Sequence, residues 1–125
     1  MRKELLLLVT ALFALLIVTI VVAADTSHIP KLLERLYDFP YGDKAGHFLL
    51  FGMLNYLLNL SALRVSPARP RGRVILVASL LLSALIGLEE WSQALFPART
   101  QSLTDLIASY AGVSLSALLA YGKKN

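Results

Sequence analysis

Four stretches of this chain are each apolar for about the length needed to cross a lipid bilayer, and nothing else in the sequence narrows the possible folds as much. A helix spanning a hydrocarbon core of roughly 30 Å needs about 20 apolar residues. Leu5–Ala24 supplies twenty residues without an ionisable side chain. The segment 45–63 carries only His47, and 103–121 carries only Asp105. The fourth stretch, 74–96, runs fifteen residues from Val74 to Leu88 without a charge and then meets Glu89, Glu90 and Gln93. Inside lipid every backbone N–H and C=O must find a partner within the protein, so such segments are helices. The expected fold is all-α, an integral membrane bundle of four transmembrane helices at about 5–24, 45–63, 74–96 and 103–121. The whole chain, 1–125, is expected to form a single domain.

Composition agrees. Of 125 residues, 57% are hydrophobic and 16% charged, and the mean hydropathy is +0.66, too apolar for an ordinary soluble domain of this size. The first helix competes with a signal peptide, because a basic start, an apolar stretch and "VAAD" at 22–25 imitate a cleavage site. Signal-peptide cores run about 7–15 residues, shorter than this one, so a retained helix is expected. The absence of cysteine excludes disulfides, thiolate chemistry and Cys-ligated metal sites.

Lys and Arg collect in cytoplasmic loops. Taken on alternate sides of four helices, one side holds Arg2, Lys3, Arg64, Arg69, Arg71, Arg73, Lys123 and Lys124, and the other Lys31, Arg35, Lys44 and Arg99. Both termini are therefore expected in the cytoplasm. The loop "RVSPARPRGR" at 64–73 has four arginines but no aromatic residue on which a base could stack. It fits an orientation signal beside anionic lipid better than a nucleic-acid site. In the outer loop, Pro30 suits a first helical turn. Ile29, Leu32, Leu33 and Leu36 then recur at helical spacing up to Pro40, which predicts a short helix in the outer interface.

With this topology the ionisable residues of the membrane segments converge on the outer end. His47 falls about one turn into the second helix, Asp105 opens the fourth, and Arg99 lies in the short loop between the third and fourth. At roughly 100° per residue, Glu90 lies about 20° from the small-residue stripe Ser79, Ser83 and Gly87. Glu89 lies about 120° away on the same measure, so Glu90 is expected to face inward and Glu89 to face water or headgroups. Ala108, Gly112, Ser116 and Ala120 form a second stripe, and Asp43, His47, Phe51, Asn55 and Asn59 follow one another at intervals of four. The first helix offers only threonines and is expected to serve packing. Intramembrane ionisable groups are costly and tend to mark functional sites.

The segments "DKAGHFLLFG" at 43–52, "EWSQALFPAR" at 90–99 and "SLTDLIASYAG" at 102–112 resemble the VanZ-like membrane proteins. In that family an Asp-Lys-x-x-His-Phe segment opens one helix, Glu-x-x-Gln followed by Pro-x-Arg closes another, and Asp-x-x-x-Asn-x-x-Gly opens the last. The similarity spans residues 43–121 and picks out Asp43, Lys44, His47, Phe48, Glu90, Gln93, Arg99, Asp105 and Gly112. Ser109 stands where the family usually has asparagine. The resemblance implies a bacterial plasma-membrane protein linked to the cell envelope, the family taking its name from a protein associated with resistance to the glycopeptide teicoplanin.

Two functions remain open at this level. One is an outward-facing polar pocket that binds or modifies a headgroup, from a lipid-linked cell-wall intermediate or a glycopeptide. Lys44 and Arg99 would meet phosphate or carboxylate there, and Asp43, His47, Glu90, Gln93 and Asp105 would complete the site. The other is an intramembrane hydrolase or transferase, with His47 or Glu90 as general base and Arg99 stabilising a developing anion. No nucleophile motif accompanies it. A metal site from His47, Glu90 and Asp105 lacks any close-spaced ligand motif, and four helices leave little room for a transport path. The expected partners are membrane lipids, with no cofactor and no nucleic acid.

Overall fold

The computed structural model describes residues 2–25, 35, 42–95 and 103–123, with backbone alone at 24, 25 and 43. It is an all-α bundle of four helices: α1 (Lys3–Asp25), α2 (Gly42–Val65), α3 (Arg71–Ser92) and α4 (Leu103–Gly122). All four are long and apolar enough to cross a membrane, and among the described residues there is no strand. The interfacial helix expected after Pro30 lies outside the described residues.

The helices outrun their apolar stretches. α2 begins at Gly42 rather than near residue 45, so Asp43 and Lys44 fall within its first turn. α3 begins at Arg71 rather than Val74, directly after Pro70 in an extended conformation (φ −57°, ψ 133°). Hydrophobicity marks where lipid begins, whereas a long Arg or Lys side chain can remain helical and carry its charge back to the interface. At its far end α3 stops at Ser92 and tightens into a 3₁₀ turn over Gln93–Leu95, the Gln93 N–H donating toward the carbonyls of Glu89, Glu90 and Trp91.

α2 packs against all three other helices, and α4 is its main partner. The reason is local. Gly52 and Gly112 face one another, and a Cβ on Gly52 would lie 3.2 Å from the Gly112 carbonyl oxygen. Small residues at a crossing let membrane helices approach to backbone contact. Beside that crossing Ile17, Phe51, Leu54, Leu82, Ile86 and Val113 form the apolar core. α1 is the peripheral helix, with 17% of its apolar stretch buried in the protein against 28–33% for the others. Leucines such as Leu15, Leu81, Leu85 and Leu118 are exposed, as they must be where the surrounding solvent is hydrocarbon.

α1 nevertheless contributes more than packing. The Thr10 hydroxyl donates to Leu6 O at 2.8 Å and accepts from Ser61 Oγ at 2.8 Å, tying α1 to the last turns of α2. At the same end Arg71 donates from Nε to Tyr121 O (3.2 Å) and from Nη2 to Ala120 O (2.6 Å) and Lys123 O. One guanidinium thus clasps the carbonyls left over at the end of α4, where a helix lacks donors of its own and its dipole favours a cation.

Candidate functional site

These contacts fix the two ends of the bundle. The proximal end carries the start of α1, the turn between α2 and α3, and the end of α4. The distal end carries the start of α2, the end of α3 and the start of α4, and with them the candidate residues Lys44, His47, Glu90, Gln93 and Asp105.

Glu90 is 5% exposed and Gln93 2% exposed, so the inward side of α3 is the one that the angular argument selects. Glu89 requires a correction. It is half-buried rather than turned fully outward, because the buried amide of Gln93 donates from Nε2 to both of its carboxylate oxygens, at 3.0 and 3.1 Å. An amide buried to that degree costs free energy unless it is hydrogen-bonded, and a carboxylate one turn earlier on the same helix is the acceptor within reach. Gln93 is thus a brace for Glu89.

Across the distal end, Lys44 Nζ lies 3.5 Å from Asp105 Oδ1 and joins the first turns of α2 and α4. Asp105 thus has one cation from α2. Arg99 and the side chain of Asp43 lie outside the described residues. His47 is half-buried one turn above Phe51, with ring centroids 6.0 Å apart and planes tilted by 38°.

Two serine hydroxyls near this end are committed to backbone. Ser92 Oγ donates to Glu89 O at 2.7 Å, and Ser109 Oγ donates to Asp105 O at 3.1 Å. Ser109, fully buried, thus keeps its hydrogen bond within α4. A nucleophilic serine needs a base within hydrogen-bond reach, and each of these hydroxyls donates instead to a carbonyl of its own helix. Among the described residues no three His, Asp or Glu side chains gather closely enough to hold a metal ion.

Below the distal end runs a polar column. Asn55 is fully buried, and its Nδ2 lies 3.0 Å from Val113 O, 3.0 Å from Ser116 Oγ and 3.2 Å from Ser79 Oγ. Asn59, also fully buried, reaches the same Ser79 hydroxyl at 3.3 Å. Residues that read in sequence as a polar stripe on α2 and two small-residue stripes on α3 and α4 are one hydrogen-bonded network joining three helices. The four-residue spacing of Asn55 and Asn59 was the available signal. Its partners were hidden because serine looks like a small packing residue until the facing helix is known.

Beyond this network Tyr110 Oη donates to Ser83 O at 3.1 Å, and its hydroxyl fills the space beside Gly87, where a Cβ would stand 2.9 Å away. α4 is therefore fastened to α3 as well as to α2. No protein-family model, no curated protein and no solved structure matches this chain in the comparisons with known proteins.

Proposed function

We propose that this is a VanZ-like integral membrane protein of the bacterial inner membrane, oriented with both termini in the cytoplasm, whose distal end binds a polar headgroup. The ligand class is a cell-envelope lipid or a lipid-linked glycan, and the binding bears on susceptibility to teicoplanin-type glycopeptides. The observation that carries this reading is the placement of Glu90 and Gln93, 5% and 2% exposed, at the same bundle end as the Lys44–Asp105 pair. Carboxylates and amides accept and donate to sugar hydroxyls and amides, while Lys44 and Arg99 supply cations for a phosphate or carboxylate. Binding is favoured over catalysis by Ser92 and Ser109, the serine hydroxyls described at this end, which donate to backbone carbonyls.

Native mass spectrometry of the protein purified in mild detergent tests the reading. The expected result is a retained envelope lipid or glycolipid whose occupancy falls in Glu90→Gln and is unchanged in the lipid-facing control Leu81→Ala. A protein that carries no adduct, or an adduct held equally by both variants, overturns it.

A further inference from the structure

The proximal end holds a concavity, far from the distal candidate site. The turn between α2 and α3 encloses an open recess of about 320 Å³ lined by Leu63, Arg64, Ser66, Pro67, Arg69 and Arg71. Ligand clefts start at roughly 300 Å³, so the space suits a headgroup rather than a whole lipid. Three of its six lining residues are arginines, and none is an acid.

The three arginines are not equivalent. Arg71 is held in place, because its Nε and Nη2 donate to the carbonyls of Tyr121, Ala120 and Lys123. A guanidinium has five N–H donors, so the pair on Nη1 remains, without a partner among the described residues. The guanidinium groups of Arg64 and Arg69 have neither an ion pair nor a hydrogen bond among the described residues, and both side chains are exposed. Three like charges around one recess repel each other, and the clasp on α4 neutralises only part of the charge of one. The rest of this end is also net basic among the described residues. Its described charges are Arg2, Lys3, Arg73 and Lys123, against the acid Glu4.

We infer that this recess is a binding site for a phosphate group, supplied by an anionic phospholipid of the adjoining leaflet. Guanidinium forks match phosphate oxygens in bidentate pairs. Basic pockets between membrane helices at the headgroup level take anionic lipid headgroups. Leu63 and Pro67 give the recess an apolar side on which the glycerol part of a lipid rests, which a free phosphate would not use. Arg71 provides a fixed donor pair, and Arg64 and Arg69 close over the phosphate from exposed positions. The site is distinct from the distal polar end and does not depend on what binds there.

The test uses the full chain in detergent, with the thermal midpoint followed against added dioctanoyl phosphatidylglycerol, dioctanoyl phosphatidylcholine or inorganic phosphate. Phosphatidylglycerol is expected to raise the midpoint and phosphatidylcholine, whose choline would face the arginines, to do so only at much higher concentration. The double variant Arg64→Gln/Arg69→Gln should need about tenfold more phosphatidylglycerol or greater for the same shift, as expected for lost hydrogen bonds to a charged group. Arg73→Gln, equal in charge per site but outside the recess, should stay within about twofold, the scale of an exposed charge. These variants alter exposed side chains and leave the Arg71 clasp intact, so a lost response is a lost site and not a lost fold. An equal loss in Arg73→Gln, or equal shifts by the two lipids, would overturn the recess as a specific site. Equal protection by inorganic phosphate would keep the phosphate site and overturn its assignment to lipid.

Discussion

The carbonyl oxygen of Phe48 occupies the space that a Cβ on Gly112 would need. At this point α2 and α4 touch backbone to backbone, and the Gly52 nitrogen lies only 3.2 Å from the same Cβ position. Gly112→Ala therefore forces the two main helices of the bundle apart, where rigid backbone rather than a movable side chain stands in the way. The expected cost is about 1–3 kcal/mol, the range for overpacking, seen as a lowered thermal midpoint in detergent. Gly46→Ala is the control. No described residue lies within 4 Å of its Cβ position, so it should be neutral or slightly stabilising, since alanine is the better helix former by roughly 0.5–1 kcal/mol.

The Asn55 network yields a coupling. Asn55→Ala and Ser79→Ala each remove one side of a hydrogen bond measured at 3.2 Å in a fully buried setting. Their combined effect on unfolding in detergent should depart from the sum by about 0.5–1.7 kcal/mol, the upper part of the range for interhelical hydrogen bonds in membranes. Strict additivity would mean that the Asn55–Ser79 hydrogen bond contributes nothing to holding α2 against α3.

The two glutamates should part in a specific way. Glu89→Gln keeps an oxygen that can accept from Gln93, so it should be mild, whereas Glu89→Ala strands a buried amide and should cost about 1–3 kcal/mol. Adding Gln93→Leu to Glu89→Ala should recover part of that loss, because the orphaned donor is gone. Glu90→Gln should act differently again, through ligand retention more than through stability. Thermal midpoints of the four variants, measured side by side with adduct occupancy, check all of this.

For the Lys44–Asp105 pair, Lys44 is 37% and Asp105 16% exposed at the side chain, an intermediate setting. A double-mutant cycle of Lys44→Gln and Asp105→Asn should give a coupling of about 0.5–1 kcal/mol. It should shrink as salt is raised, since a partly exposed pair is screened. A coupling that ignores salt would place the pair deeper than its exposure implies.

Topology is open to direct labelling, because the chain has no cysteine of its own. In intact cells an impermeant thiol reagent should label Ser27→Cys and Ser102→Cys and spare Ser66→Cys and Asn125→Cys. Labelling at Ser66 would invert the orientation and turn the distal end toward the cytoplasm.

The four spans were legible because lipid forces hydrogen-bond closure on any apolar stretch of their length, and the inward face of Glu90 was legible because helical geometry is regular. What escaped depends on neighbours. Glu89 could not be read as the acceptor for Gln93 without knowing that Gln93 is buried. The Lys44–Asp105 pair could not be read until the first turns of α2 and α4 were placed together. Arg71 looked like one more topology charge, and Thr10 looked like a packing residue on α1, because a single helix gives no sign of a carbonyl or hydroxyl on the next. The expected starts of α2 and α3 were late for a different reason, since apolarity ends before the helix does.

The clasp of Arg71 on α4 also carries an order in time. Its acceptor on Ala120 lies 49 residues further along the chain, and at ~5–20 residues per second a ribosome reaches it some 2–10 s after Arg71 has been made. Throughout that interval the guanidinium lacks these acceptors, and the α3 start is anchored by nothing that α4 will later provide. The bond closes only when residues 120–123 have been made and α4 stands alongside α3. A chain interrupted before that point would leave Arg71 without its acceptors. The same contact that stabilises the four-helix bundle thus separates it from every nascent form that stops short of residue 120.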